Sequence, residues 1–516
     1  MASDETGREP RGGERRMMGP TPQAAPAAQA PSAQGTTVLR NAVNLVMGQA
    51  ATTFLAVALN AVLGRSLGAA DFGLYFLITT MSTFAYVFVE WGQPIYVIRR
   101  VAQAPSMSGE LVGAALALRA VLAPLAAAAA FLVAYVLGYD IRTRWLAFVL
   151  ILANLPLFLS QGFGMVFRAF DRMGRDAAVS VSNKALVLCM TLPALALGAG
   201  IPGVIVAQGL AGVVALLVAV ALYRRMQLGA MRLSSSVAWE VLAGGAPVLA
   251  MTAATSVQSY LDAIILSKLA PATVVGWFGA ARSLLGTIMA PAVILGAASY
   301  PTLARASVDP ALFSVEVRRA FRPLVWLAAL AGTGTFLFAR VAIDIIYGVR
   351  GFGPAQMVLE VFAPGFVLLF IDILLGNIIF ACGRGSGFTI AKIASVAVGA
   401  GLDVLLVPRF QEHFGNGGIG VIVAFALSEF VVFAGCVVIL PRGVLGRGTA
   451  LDVARAIGSA AVTLALFRLL PGLPPWAGIP LCVVVYTAAS VALGLVGSRD
   501  LVGLWSFIRP GRTPAP

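Results

Sequence analysis

Residues 203–222 read GVIVAQGLAGVVALLVAVAL, a run without a single charged side chain. A helix rises about 1.5 Å per residue and the hydrocarbon core of a bilayer is about 30 Å thick, so a run of this length and apolarity is suited to one membrane crossing. The rest of the chain has the same character. Of its 516 residues, 59% are hydrophobic and 11% charged, whereas a soluble domain carries about a quarter charged residues. Mean hydropathy is +0.91.

Working outward from that run, fourteen apolar segments emerge, at 41–63, 73–97, 111–138, 145–168, 177–198, 201–223, 239–268, 276–300, 321–347, 357–381, 387–408, 417–440, 450–470 and 475–497. The expected fold is therefore all-α and polytopic. Interior Gly and Pro do not argue against it, because membrane helices tolerate both.

The opening motif also recurs. GVIVA at 203–207 returns at 420–424, each time opening the sixth helix of a block of six. FDRMGR at 170 aligns with CGRGSG at 382, which places Arg172 opposite Arg384, and DFGLYF aligns with VVGWFG, which pairs Gly73 with Gly276. The offsets are 217, 212 and 203. Ordered matches of this kind predict two six-helix repeats forming two lobes. Six is even, so both repeats enter the membrane in the same sense, and a substrate path is expected between them.

The chain then divides into a disordered cytoplasmic tail (1–38), an N-lobe (39–225), a cytoplasmic linker (226–238), a C-lobe (239–441) and two additional helices with a short tail (442–516). The tail is rich in Pro, Ala, Gly and Gln and lacks the apolar core of a signal peptide. Basic residues orient the bundle, since cytoplasmic loops hold the Lys/Arg excess. With the N-terminus inside, 24 of the 36 basic residues face the cytoplasm, and an even number of spans puts both termini there. The net charge of +14 thus reflects topology, and no nucleic-acid partner is expected.

Enzyme signatures are sparse. The only histidine, His413, falls in an outer loop; the three lysines follow no phosphate-cradling glycine motif; and Cys189, Cys382, Cys436 and Cys482 lie in separate apolar segments without disulfide or metal spacing. Neither catalysis nor a bound metal or organic cofactor is expected.

Charges inside the spans are informative because each is costly in hydrocarbon unless paired or hydrated. They are Glu90, Arg119, Lys184, Asp262, Arg282, Asp372, Lys392, Asp403 and Glu429. By rise per residue, Asp262 and Arg282 both fall about 9 Å below the outer ends of adjacent helices and form an expected gating pair. Glu90 and Arg119 share an inner-half level, and Asp372 and Lys392 match less closely. Glu429, Asp403 and Lys184 have no obvious hairpin partner. Glu429 and Asp403 are candidates for ion coupling, and Arg282, Arg119, Lys184 and Lys392 for holding a phosphate.

Small polar residues add a candidate cavity face. Thr252, Thr255, Ser259 and Asp262 are spaced 3, 4 and 3; Thr79, Thr83, Tyr86 and Glu90 repeat the pattern, and Gln49, Thr53 and Asn60 extend it on the first helix. Such spacing keeps side chains on one helical face. Polar stripes also serve simply to pack membrane helices.

The stretches GRSLGAADFGLYFLITTMSTFAYVFVEWGQPIYVIRRVA, YLDAIILSKLAPATVVGWFGAARSLLGTIMAPAVILGAASYPTLARAS and LDVLLVPRFQEHFGNGGIGVIVAFALSE resemble the polysaccharide-transporter (Wzx-type flippase) branch of the multidrug, oligosaccharidyl-lipid and polysaccharide exporter superfamily. The resemblance spans about 40–440. It implies a transporter in the bacterial cytoplasmic membrane that moves polyprenyl-(pyro)phosphate-linked oligosaccharide from the inner to the outer leaflet by alternating access, for cell-surface polysaccharide synthesis. It places Asp262, Arg282 and Glu90 at positions the family uses. Implied partners are the lipid-linked oligosaccharide, membrane lipids and polysaccharide assembly proteins, with H⁺, Na⁺ or the membrane potential as driving force. The first helix here lacks the internal arginine that would make its cavity face cationic, and the last two helices exceed the twelve found in many relatives. A drug or organic-cation antiporter of the same superfamily is the alternative. A membrane-embedded polymerase or ligase fits the short outer loops less well.

Overall fold

The computed structural model describes residues 31–497 except 229, 349–350, 442–443 and 471, with side chains from Met47 onward apart from those at 254, 255, 259, 310 and 311. Most of the stretch assigned to the N-terminal tail lies outside the described residues.

The first element, α1 (Pro31–Glu90), is a 60-residue helix interrupted once, at Gly68, whose φ of 73° and ψ of 173° break the helical path. Only glycine occupies that region without strain. The break lets one continuous element cross twice, in place of the expected helix–loop–helix. A second glycine in the left-handed region, Gly92 (φ 68°), turns the chain into the short amphipathic α2 (Gln93–Gln103).

Next come α3 (Ser108–Val136), α4 (Ile141–Ala169), α5 (Met173–Ala196) and α6 (Gly200–Arg224). Asp140 caps α4 by accepting a hydrogen bond from the Thr143 amide at 3.2 Å. In this half, α4 lies between α3 and α6, and α5 packs on α6 and α1.

The second half holds α7 (Ser235–Leu269), α8 (Ala272–Ala306), α9 (Pro310–Tyr347), α10 (Ala355–Phe362), α11 (Gly365–Ala381), α12 (Gly385–Phe414) and α13 (Gly417–Ile439). The segment expected as one straight span at 357–381 is instead α10 and α11, bent by 55°. The bend falls at Pro364, which has no amide to donate to the helix. Twelve described helices are long and apolar enough to cross a membrane, and the bent pair makes thirteen. Fourteen were expected, and the first two expected spans fall within the single element α1.

The last helices, α14 (Arg447–Arg468) and α15 (Pro475–Ala492), pack on each other and on α9. The fully buried Asp452 fixes them there. Its carboxylate accepts from Arg318 Nε at 2.9 Å and Nη2 at 3.3 Å, and it stands 3.8 Å from Arg322 and 3.5 Å from Arg455. Arg322 also donates to the Leu495 carbonyl at 2.5 Å, beyond the end of α15. One acid thus gathers three arginines from two helices.

Candidate functional site between the two halves

The halves meet where α1 and α2 face α7 and α8, and glycines permit the closest approaches. A Cβ placed on Gly73 would lie 2.1 Å from the Ala272 carbonyl oxygen, and one on Gly276 would lie 2.0 Å from that of Ala69. The two helices are in backbone contact through Ala-x-x-x-Gly on both sides, the small-residue geometry that lets membrane helices approach closely. Around this contact Phe72 packs edge-on against Tyr347 and Phe352, with centroids 5.5 and 5.6 Å away. Arg65 donates to the Ile345 and Ile346 carbonyls, and the Tyr139 and Ser267 hydroxyls are 2.5 Å apart.

A second contact lies nineteen residues further along α1 and just past its end, about 28 Å away along a helix axis. A Cβ on Gly92 would fall 2.3 Å from the Gly245 carbonyl oxygen, and one on Gly245 would fall 2.1 Å from that of Trp91. Trp91, itself at a φ of 47°, donates its indole N–H to the Leu242 carbonyl at 3.0 Å. Glu240 of α7 accepts from Tyr96 Oη at 2.8 Å and from Arg100 Nε at 2.9 Å. Neither Glu240 nor Tyr96 stood out in the sequence. The available signal was an acid at the start of a span, facing a loop that holds Arg99 and Arg100.

Between these contacts the structure redistributes the expected pairs. Glu90 and Arg119 do approach, at 3.9 Å. Arg119 is fully buried; its Nε donates to Gln93 Oε1 at 2.9 Å and its Nη1 to the Phe158 carbonyl. With its fork committed inside the first half, it is removed from the phosphate candidates.

The Asp372–Lys392 pair is not formed. Lys392 Nζ binds Glu429 Oε1 at 2.7 Å, because α12 and α13 form an intimate antiparallel pair that brings these two side chains together. Glu429 is therefore partnered, contrary to the sequence expectation. Asp403 is also not isolated: it stands within hydrogen-bonding reach of Asp262. Asp372 approaches Glu429 in the same way. Four carboxylates thus share the interior of the second half, and both oxygens of Asp372 and of Asp403 are buried without a donor. Beside them, Gln258 of α7 donates to Ser428 Oγ at 2.7 Å, and Ser395 donates to the Ser428 carbonyl at 2.8 Å. Arg282 lies within electrostatic reach of Asp262, its guanidinium 5.7 Å from the Phe425 ring centroid. The expected Asp262–Arg282 gating pair is thus not closed to an ion pair of 4.0 Å or less, and Asp262 has a second acid, Asp403, beside it.

The polar stripes divide. Tyr86 leaves the expected cavity face: it is buried, its hydroxyl donates to the Ile151 carbonyl at 2.7 Å, and its ring stacks on Phe158 at 3.5 Å. The Thr79 hydroxyl is also turned into the protein, beside Tyr75. Thr83 is exposed, as is Gln49, which lies 3.5 Å from Thr53 Oγ1. Asn60, Thr252 and Lys184 are half-buried, and among the described residues no hydrogen bond or ion pair engages the Lys184 ammonium. The side chains of Thr255 and Ser259 lie outside the described residues. His413 is exposed at the end of α12, with Nδ1 2.8 Å from the Arg409 carbonyl, and the four cysteines are free thiols.

A family model described as polysaccharide biosynthesis protein matches residues 38–307. No curated protein gives a significant match. Among solved structures the chain is similar to lipid II flippase MurJ in an inward closed conformation, at a TM-score of 0.72 and 11% identity over 89% of this chain and 100% of that one. It is also similar to an inward-facing multidrug resistance MATE transporter of the MOP superfamily, at 0.62 and 16% over 79% and 95%. A MOP superfamily transporter from Pyrococcus furiosus matches at 0.56 and 15% over 82% and 96%. At these identities the likeness is one of fold.

Proposed function

The chain belongs to the polysaccharide biosynthesis protein family, and from that premise we propose that it is a flippase moving polyprenyl-(pyro)phosphate-linked oligosaccharide from the inner to the outer leaflet of the bacterial cytoplasmic membrane. The observation that carries this reading is the pair of glycine contacts between the halves. Gly73–Gly276 and Gly92–Gly245 lie about 28 Å apart along the helix axis, close to the thickness of a bilayer core, and in this reading they close opposite ends of a substrate path between the halves. Alternating access follows if one seal parts while the other holds.

In this reading Arg282 and Lys184 are the cations that receive the phosphates. Arg suits a phosphate best because its planar fork binds two oxygens at once. Arrival of phosphate at Arg282 competes with Asp262 and loosens the second half. The four carboxylates supply the coupling: two acids in contact repel when both are ionised, so a proton or Na⁺ entering between Asp262 and Asp403, or between Asp372 and Glu429, relieves that repulsion. The membrane potential adds about 2.3 kcal/mol per charge per 100 mV to outward movement of an anionic headgroup.

The test is complementation of a bacterial strain lacking its oligosaccharide flippase, with surface glycan as the readout. Wild type restores glycan and Arg282→Ala does not, although the variant reaches the membrane. The same four carboxylates favour, as a second reading, an organic-cation antiporter of the same fold. That reading gains if wild type fails to restore glycan yet raises resistance to cationic drugs, and if Asp262→Asn abolishes the resistance.

A further inference from the structure

Asp452 is the only carboxylate among the described residues that pairs with Arg318, Arg322 or Arg455. The neighbouring Glu316 is taken by Arg319 at 3.0 Å. Arginine stays protonated throughout the physiological range, so the cluster carries three positive charges against one negative and keeps a surplus of two.

Hydrogen-bond donors are in surplus as well. Arg318 gives two to the carboxylate, and Arg322 and Arg455 reach the Gly494 and Leu495 carbonyls just past α15. A guanidinium has five N–H donors, so these bonds use a minority of those present. Arg322 Nε is buried, stands 3.8 Å from Asp452 and, among the described residues, meets no acceptor at hydrogen-bonding distance. The start of α14 adds to the deficit. Its N-cap is Gly446, which has no side chain to accept an amide, and its first turn holds no acid. Arg318 lies directly against that turn, since a Cβ on Gly448 would be 2.8 Å from Arg318 Cζ. Unpaired amides at a helix start favour an anion.

The cluster is also within reach. Arg318, Arg322 and Arg455 are 45, 32 and 31% exposed, so an anion can meet all three without the helices parting. A phosphate monoester carries about −1.5 to −2 charges and three acceptor oxygens, and guanidinium forks bind such oxygens in pairs. Those properties match the two surplus charges and the idle donors. We propose that Arg318, Arg322 and Arg455 form a binding site for a dianionic phosphate at the ends of α9 and α14, and that the bound phosphate ties the last two helices to α9. Two sources supply this chemistry, a phospholipid headgroup and free phosphate. On the orientation that the Lys/Arg excess favours, the cluster lies at the level of the inner-leaflet headgroups. Leu451, one turn before Arg455, and Val315, one turn before Arg318, are exposed beside it and offer apolar surface to an acyl chain. Because α14 and α15 pack on α9 and on each other, the site stands apart from the contacts between the halves and does not depend on what the protein carries.

The test follows the full chain in dodecylmaltoside micelles by limited proteolysis between α13 and α14, the junction freed when the last helices loosen. The probes are dioctanoyl phosphatidic acid, inorganic phosphate and dioctanoyl phosphatidylcholine, each compared with chloride at equal ionic strength. Phosphatidic acid at about ten times its Kd is expected to slow this cleavage about tenfold, and zwitterionic phosphatidylcholine to leave it unchanged. Arg455→Gln and Arg322→Gln should each lose most of the protection, so misfolding of one leaves the other, and the comparison of probes on wild type needs neither. Protection by phosphatidic acid alone supports the site with a lipid as its source; equal protection by inorganic phosphate supports it with free phosphate. Cleavage at the chloride rate with both phosphates, equal protection by phosphatidylcholine, or protection that survives in both variants overturns the proposal.

Discussion

Gly73 and Gly276, separated by 203 positions, touch across the two halves, each so close that a methyl group on it would press into the partner helix's backbone. Their flanking alanines repeat the relation, since Gly73 meets Ala272 and Gly276 meets Ala69. The sequence alignment expected these two positions to be equivalent, and reciprocal contact is what an axis relating two such repeats would produce. The contact is backbone on backbone, so neither side can yield by rotating a side chain.

Gly73→Val is therefore expected to keep this seal from closing. In a background without the four native cysteines, a cysteine at Thr83 should react faster with an impermeant thiol reagent applied from the outer side. Surface glycan should fall about tenfold, or more. A Gly73→Val protein with normal glycan and unchanged labelling would show that the contact is incidental.

The opposite seal is tested by locking it. Tyr96 covers Gly244 so closely that a Cβ on the glycine would meet its ring at 2.1 Å. Cysteines at these two positions should form a disulfide under mild oxidation, stop transport and release it on reduction. Loss of the Arg100–Glu240 pair alone should do much less. Both side chains are about a third exposed, at 38% and 34%, and such pairs contribute about 0.2–1 kcal/mol.

The Lys392–Glu429 pair calls for a double variant. Lys392→Met leaves a nearly fully buried carboxylate alone, and breaking a buried pair costs about 3–5 kcal/mol. Glu429→Gln leaves the partly covered ammonium, a smaller loss. The double variant should recover part of the thermal stability, because the two partners leave together while the buried carboxyl group of Asp372 stays behind. If it also recovers transport, Glu429 is structural and has no part in coupling.

Asp452→Asn should loosen the last two helices selectively. Three guanidinia lose their carboxylate, and with Arg318 45% exposed a loss of about 1–3 kcal/mol is expected, below that of a fully buried pair. Limited proteolysis should then cut between α13 and α14 first, with the remainder intact. Uniform loss of all fragments would mean that the whole bundle depends on this acid.

The membrane class and the positions of most spans were legible in the sequence, because hydropathy over twenty residues is a one-dimensional signal. Pairing by depth succeeded for Glu90 and Arg119, which belong to adjacent parts of the first half. It failed for Lys392, because depth says nothing about rotation about the helix axis, and α12 turns its lysine toward α13. Tyr86 shared a helical face with Thr83 in the spacing, yet its ring stacks on Phe158 and its hydroxyl bonds the Ile151 carbonyl. The inner latch was missed because Glu240 lies near a span boundary, where an acid carries no hydrocarbon penalty and draws no notice.

The two glycine contacts have a mechanical consequence. Each is a dry bearing at one end of a lever about 28 Å long. A roll of roughly 10° about either bearing displaces the far end by about 5 Å, the pitch of one helical turn. On the alternating-access proposal, a single small rotation, reversed, is enough to expose first one face of the membrane and then its opposite, with no part of the protein travelling the distance that its cargo does.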